Sequence, residues 1–270
     1  MTIDLDALRV APGNRAGLDR RTTDEHLDLG DKESARIEHD KLLDELRDLH
    51  ERLWAEAKRS VLLVLQGVDT AGKDGTIRRA LGGLNPQGCV VTSFKVPNNL
   101  EIEHDYLWRV HAACPSRGRL GVFNRSHYED VVAARVENLI DADQCRRRYR
   151  HVRGFERMLT DEGTTVVKVF LHISYDEQRR RLQSRLDDPT KRWKFQPEDL
   201  DARSQWDAYQ SAYEDAISET STDSAPWWVV PADHKWVRDI AVGMLLLETF
   251  RRLDPQFPPP DKRLDGLSVE

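Results

Sequence analysis

Residues 60–73 read SVLLVLQ-GVDTAGK, and this junction constrains the fold more than any other segment. Ser60–Gln66 is an unbroken apolar run rich in β-branched and aliphatic residues. It predicts a strand buried on both faces, since a sheet covered on one face would alternate apolar with polar. Gly67-Val68-Asp69-Thr70-Ala71-Gly72-Lys73 fits G-x-x-x-x-G-K, and Asp74–Leu81 reads as the helix that should follow. Glycines allow a turn tight enough to point successive amide N–H groups inward. The result is an anion nest closed by a helix N-terminus. Gly67, Ala71, Gly72, Asp74, Gly75 and Thr76 are therefore expected to bind phosphate. Lys73 adds a mobile point charge able to follow a phosphoryl group during transfer.

The loop departs from the usual pattern in one respect. Asp74 stands after the lysine, where Ser or Thr ordinarily ligates magnesium, and Thr76 lies two residues too late to replace it. Asp69, inside the loop, is the better oxygen donor. A carboxylate beside bound phosphates is costly unless a cation lies between them. Asp69 is thus expected to hold Mg²⁺ or to orient the acceptor phosphate. A loop-rigidifying Asp bonded to backbone amides is the plainer reading.

Strand and helix signals alternate through the rest of the chain. Further strands are expected at Cys89–Phe94, Leu120–Phe123, Thr165–Ile173 and Trp227–Val230. Helices are expected at about Lys32–Lys58, Glu101–Ala113, Tyr128–Leu139, Asp143–Glu162, Asp176–Asp187, Leu200–Glu219 and Lys235–Leu253. In the first of these, Leu42, Leu46, Leu49 and Leu53 fall on one helical face. This order predicts a three-layer α/β/α fold with a parallel central sheet. Residues 1–30 are read as an irregular segment, 31–253 as the P-loop kinase domain with a lid at about 186–220, and 254–270 as a tail.

The strand ending at Phe123 runs into Asn124-Arg125-Ser126-His127-Tyr128-Glu129-Asp130, at the sheet end where function usually sits. Asp130 or Glu129 is expected to supply a second magnesium carboxylate, unless the pair merely favours the following helix N-terminus. Arg125 is placed to hold a phosphate, and His127 reads as a packed loop residue. Basic residues recur around the expected cleft: Arg78, Arg79, Lys95, Arg181, Arg185, Lys191 and Lys194. The net charge is −6, so this concentration points to a groove for a highly charged phosphate chain rather than a nucleic-acid surface. Three scattered cysteines suit a reducing cytoplasm and give no zinc spacing, and no apolar run is long enough to span a membrane.

Several segments together resemble the polyphosphate kinase 2 family: LQGVDTAGKDGTI (65–77), TSFKVP (92–97), HDYLWR (104–109), FNRSHYEDV (123–131), DPTKRWKF (188–195) and WWVVPADHKW (227–236). The resemblance implies a P-loop kinase with a helical lid. It implies reversible, Mg²⁺-dependent transfer of the terminal phosphoryl of inorganic polyphosphate to a nucleotide. On that basis Lys73 guides the phosphoryl group, Asp69 and Asp130 are the acidic metal sites, and Arg125, Arg181 and Arg185 grip phosphates. Arg78, Arg79 and Lys95, with Lys191 and Lys194 from the lid, line the polyphosphate channel. Asn124 and Glu129 look like the third class of the family, which accepts AMP and ADP and forms ATP. A homo-oligomer, dimer or tetramer, is also implied. The competing reading is an ATP-dependent nucleoside monophosphate kinase of thymidylate-kinase type. A GTPase switch would need N-K-x-D, which is missing, and a scaffold with a dead loop would not need Lys73, Asp69 and Asp130.

Overall fold

The computed structural model describes residues 3–269. In chain order its elements are α1 (Leu5–Leu8), β1 (Arg9–Val10), α2 (Lys32–Glu56), β2 (Ser60–Gln66), α3 (Lys73–Ala80), β3 (Cys89–Ser93), α4 (Asn99–Ile102), α5 (Trp108–Ala112), β4 (Leu120–Asn124), α6 (Ala133–Val136), α7 (Ala142–Asp161), β5 (Thr164–His172), α8 (Tyr175–Asp187), α9 (Glu198–Ser204), α10 (Trp206–Thr220), β6 (Trp227–Pro231) and α11 (Lys235–Leu253). Single 3₁₀ turns occur at His127–Asp130 and Arg192–Lys194, among others.

All seven residues of β2 are buried, as the continuous apolar run requires. The sheet order is β1-β6-β5-β2-β4-β3. β2 lies parallel between β4 and β5, and the chain reaches these neighbours on opposite sides. The carboxyl end of β2 is therefore the switch point at which open α/β sheets bind ligands. Helix α11 packs on α2 and α3 on one side, whereas α7 packs on β5 and α10 on the other, giving the three layers. Leu42, Leu46, Leu49 and Leu53 are buried on the inner face of α2.

The structure differs from the sequence-based expectation in four places. The sheet has a sixth strand, β1, which pairs antiparallel with β6. Its two residues are too few to show a period, and the first 30 residues are not wholly irregular. Val10, Ala16, Leu18 and Leu29 enter the core, and the Gly17 and Leu18 amides donate to Glu214 of α10. The expected helix at 101–113 is two short ones. Asn98 and Glu101 form a capping box that starts α4, and Asp105 accepts from the Leu107 amide at 2.9 Å to restart the chain before α5. The expected helix from Tyr128 begins as a 3₁₀ turn and continues only as α6. The lid helix is broken at Gln205: α9 is exposed, while α10 buries Ala212, Tyr213, Ala216 and Ile217 in the core.

Candidate active site

The loop leaving β2 is fixed by steric need at two glycines. Gly67 has φ +152°, and a Cβ there would lie 2.9 Å from both the Ala71 Cβ and the Leu171 carbonyl. Gly72 caps α3 at φ +108°, and a Cβ would collide with the Arg238 guanidinium at 1.8 Å. Lys73 opens α3 and is buried, its Nζ donating to the Gly67 carbonyl at 2.6 Å. Burial, together with the nearby Arg125, lowers the Lys73 pKa, and Asp69, Glu129 and Asp74 pull it back.

A loop that turns its amides toward a ligand turns carbonyls into the protein, where each needs a donor. Two buried arginines meet that need. Arg181 Nη1 donates to the carbonyls of Thr70 (3.0 Å) and Ala71 (2.9 Å), and its Nη2 donates to those of Ala232 and Asp233. Its Nε donates to Glu177 at 2.6 Å. Arg238 Nη1 donates to the Ala71 carbonyl at 3.1 Å, while its Nε and Nη2 bind Asp239. Asp239 also accepts from Thr76 Oγ1 at 3.3 Å. The loop thus rests on a charged floor in which Arg181 spends every donor on a protein acceptor.

The facing wall is the end of β4. Arg125 occupies the left-handed region at φ 62°, which a non-glycine residue adopts only under constraint. Its Nη2 donates to Asp69 Oδ1 at 2.7 Å, tying the tip to the loop. Asn124 Nδ2 donates to Asp74 Oδ1 at 2.7 Å and makes a second tie. Burial opposes the Arg125 charge, but Glu129, Asp69 and Tyr213 raise its pKa. Glu129 faces the same charges. Burial raises its pKa, Arg125, Lys73 and a hydrogen bond from Gln66 oppose the rise, and Asp69 adds to it. Gln66 is itself held by Ser126 (3.1 Å) and by the Tyr213 hydroxyl (3.1 Å).

These placements correct two expectations. Arg181 is not exposed to the cleft, because all five of its N–H groups are spent on protein acceptors beneath the loop. Asp130 pairs with Arg109 at 3.7 Å and with Arg148 at 4.0 Å. Burial raises its pKa, and Arg109, Arg148 and His127 oppose the rise. Glu129 takes the position facing the loop. Adjacent residues in a single 3₁₀ turn diverge, so no period in the sequence separates the two.

The expected channel residues lie around the rim. Arg78 is exposed on α3, and Arg79, also exposed, reaches Asp239 at 3.5 Å. Lys95 is exposed after β3. Arg185 bonds the Lys194 carbonyl and pairs with Asp199 at 3.8 Å. Lys191 pairs with Asp188 at 2.5 Å, and Lys194 lies over the Trp193 ring. Sequence reasoning missed Gln66, Tyr213 and Arg238. Gln66 is the one polar side chain at the end of the β2 apolar run, a visible signal. Arg238 lies in an otherwise apolar helix beside Asp239, a second one.

Asp69 and Glu129 are both oxygen donors close enough to Lys73 to act on its charge. No cluster of three or more metal-type side chains occurs among the described residues. A two-carboxylate set fits Mg²⁺, which binds through one or two carboxylates plus phosphates and water, and does not fit a caged structural metal.

The family model for Polyphosphate kinase 2 (PPK2) matches residues 29–258. The chain belongs to this family. It is 50% identical over 263 residues to an AMP/ADP-polyphosphate phosphotransferase of Meiothermus ruber, covering 97% of this chain and 98% of that protein. It is 43% identical over 241 residues to an ADP-polyphosphate phosphotransferase of Rhodopseudomonas palustris, covering 84% and 83%. The crystal structure of polyphosphate kinase 2 from Arthrobacter aurescens TC1 superposes with a TM-score of 0.92 at 42% identity, over 96% of this chain and 93% of that one. As a polyphosphate kinase 2 the chain is a phosphotransferase. No helix among the described residues is long and apolar enough to cross a membrane.

Proposed function

We propose that the chain transfers the terminal phosphoryl group of inorganic polyphosphate to AMP and to ADP, reversibly and with Mg²⁺. The observation that carries this is the 50% identity to the Meiothermus ruber AMP/ADP-polyphosphate phosphotransferase, spread over almost the full length of both proteins. Local similarity at a P-loop alone would not distinguish polyphosphate from ATP as donor.

A terminal phosphate oxygen of the acceptor attacks the terminal phosphorus of polyphosphate. The bridging P–O bond opposite breaks, and the shortened chain keeps its electron pair. In this reading the P-loop amides and Lys73 hold the phosphoryl group as charge develops on its equatorial oxygens. Arg125, locked to Asp69, holds the acceptor phosphate in line. Asp69 and Glu129 would hold Mg²⁺, which supplies charge neutralisation when bound. Arg78, Arg79, Lys95, Lys191 and Lys194 form the cationic approach for the polyanion, with Arg185 anchoring the lid segment. The three free thiols suit a cytoplasmic setting, and we further propose a homo-oligomer, a dimer or tetramer, to be checked by light scattering.

The test incubates purified protein and Mg²⁺ with AMP or ADP, with polyphosphate in one series and ATP in another, and separates nucleotides by ion exchange. ADP and ATP formed from AMP only with polyphosphate is the expected result. Transfer from ATP alone would move the chain to the thymidylate-kinase type of activity.

A further inference from the structure

Lys168 sits in the middle of β5 within TTVVKVFLH and is fully buried. A buried ammonium is costly unless every proton is bonded. Its Nζ donates to Glu156 Oε2 at 2.6 Å, to the Thr220 carbonyl at 2.7 Å and to the Tyr128 hydroxyl at 3.1 Å, which uses all three protons. Glu156, on α7, is equally buried, and its other oxygen lies 2.8 Å from the Tyr128 hydroxyl and 3.2 Å from His127 Nε2. Thr220 ends α10, and its Oγ1 meets both the Tyr128 hydroxyl (2.9 Å) and Trp227 Nε1 of β6 (3.0 Å). Four elements converge on one tyrosine and one histidine.

Those two residues immediately precede Glu129. The turn carrying them is a single 3₁₀ turn, which has little stiffness of its own. Apolar pairs of similar volume often replace buried ion pairs without loss of stability, so stability alone is weak ground for the ions. Their contacts are stronger ground: they grip the residues on which the direction of Glu129 depends.

We propose that Lys168 and Glu156 are positioning residues, which act through Tyr128 and His127 to aim Glu129 at the P-loop. The inference rests on the role given to Glu129 above. It goes beyond that role by placing part of the catalytic geometry in a buried ion pair on the sheet.

The test is a double-mutant cycle on kcat with polyphosphate and AMP. Tyr128→Phe keeps the ring and removes the hydroxyl. It is expected to lower kcat by about 10-fold or more, toward the roughly 10²-fold loss a 1 Å misplacement causes, with the AMP KM within about twofold of wild type. Lys168→Met with Glu156→Leu removes both charges and leaves neither unpaired, and should give a similar loss. In a Glu129→Gln background neither change should lower kcat further, which a merely structural role would not produce. Wild-type kcat for Tyr128→Phe, or equal losses in both backgrounds, overturns the proposal even if the paired replacement fails to fold. An inactive wild type, or a fully active Glu129→Gln, overturns the reading of the site and this inference with it. Impaired Glu129→Gln beside normal Tyr128→Phe overturns the inference alone.

Discussion

The two sides of the cleft are built on opposite principles. Beneath the P-loop, Arg181 and Arg238 are buried, and every donor of Arg181 meets a protein acceptor. Across from it, residues 188–205 of the lid carry cations on the surface, such as Lys191 beside Asp188, while Arg185 and Asp199 form a half-buried pair at the lid's root. Buried pairs lose heavily when one partner goes, whereas exposed pairs contribute about 0–1 kcal/mol. The loop is therefore a cradle whose shape is set before substrate arrives. The lid is a cationic cover tied to α8 at Arg203, which donates to the Tyr175 carbonyl and Gln178, and through Arg185, which reaches Lys194 and Asp199.

The largest effect should come from the cradle's own charge. Lys73→Ala removes the point charge at the transferred group and is expected to lower kcat by at least about 10²- to 10³-fold, the usual cost of losing one donor to developing charge, without loss of fold. Near-normal turnover would remove Lys73 from the mechanism. Next comes the floor. Arg238→Met takes from Asp239 its nearest cation, leaving only Arg79 at 3.5 Å, and removes one donor from the Ala71 carbonyl. It should cost about 3–5 kcal/mol in urea unfolding and reduce kcat as well. A variant with normal stability would show that the floor is not rigid, and the contrast with the lid would collapse.

Glu129 sharpens the same comparison through pH. Burial raises its pKa in the folded state, so folding favours the protonated form. The ionised carboxylate then costs stability above that raised value, and the cost vanishes as pH falls below the unfolded value. Glu129→Gln should therefore melt higher than wild type at pH 7, with the two curves converging near pH 4, while its turnover falls to a low but measurable level. Equal melting at both pH values would mean the carboxylate is not strained.

How much of this was legible follows from distance along the chain. The phosphate loop was legible because its strand, glycines and lysine are contiguous, and β2 and α11 carry the expected ends. Glu129 and Asp130 were not separable, because the side that each takes is decided by Arg109 and Arg148 on one hand and Gln66 and Tyr213 on the other. Arg181 and Arg185 share a helical face, yet one is buried under the loop and the other reaches only into the lid. Periodicity gives a face, not what covers it. Lys168 was passed over, although it stands as a lone charge inside an apolar strand and a buried charge needs a partner that only the folded chain brings to it.

The smallest expected effect lies at the lid, and it separates a cover from a floor. Lys191 and Lys194 are held by one surface ion pair and one cation–π contact, so replacing both with Ala should change stability by no more than about 1 kcal/mol. Their charge matters only when a polyanion lies beneath them. The KM for long polyphosphate should rise a few-fold, the AMP KM should hold, and the rise should shrink at high salt, where exposed charges are screened within about 10 Å. An unchanged polyphosphate KM at low salt would place the donor's path along Arg78, Arg79 and Lys95 instead, and leave the lid cations as ordinary solvated surface.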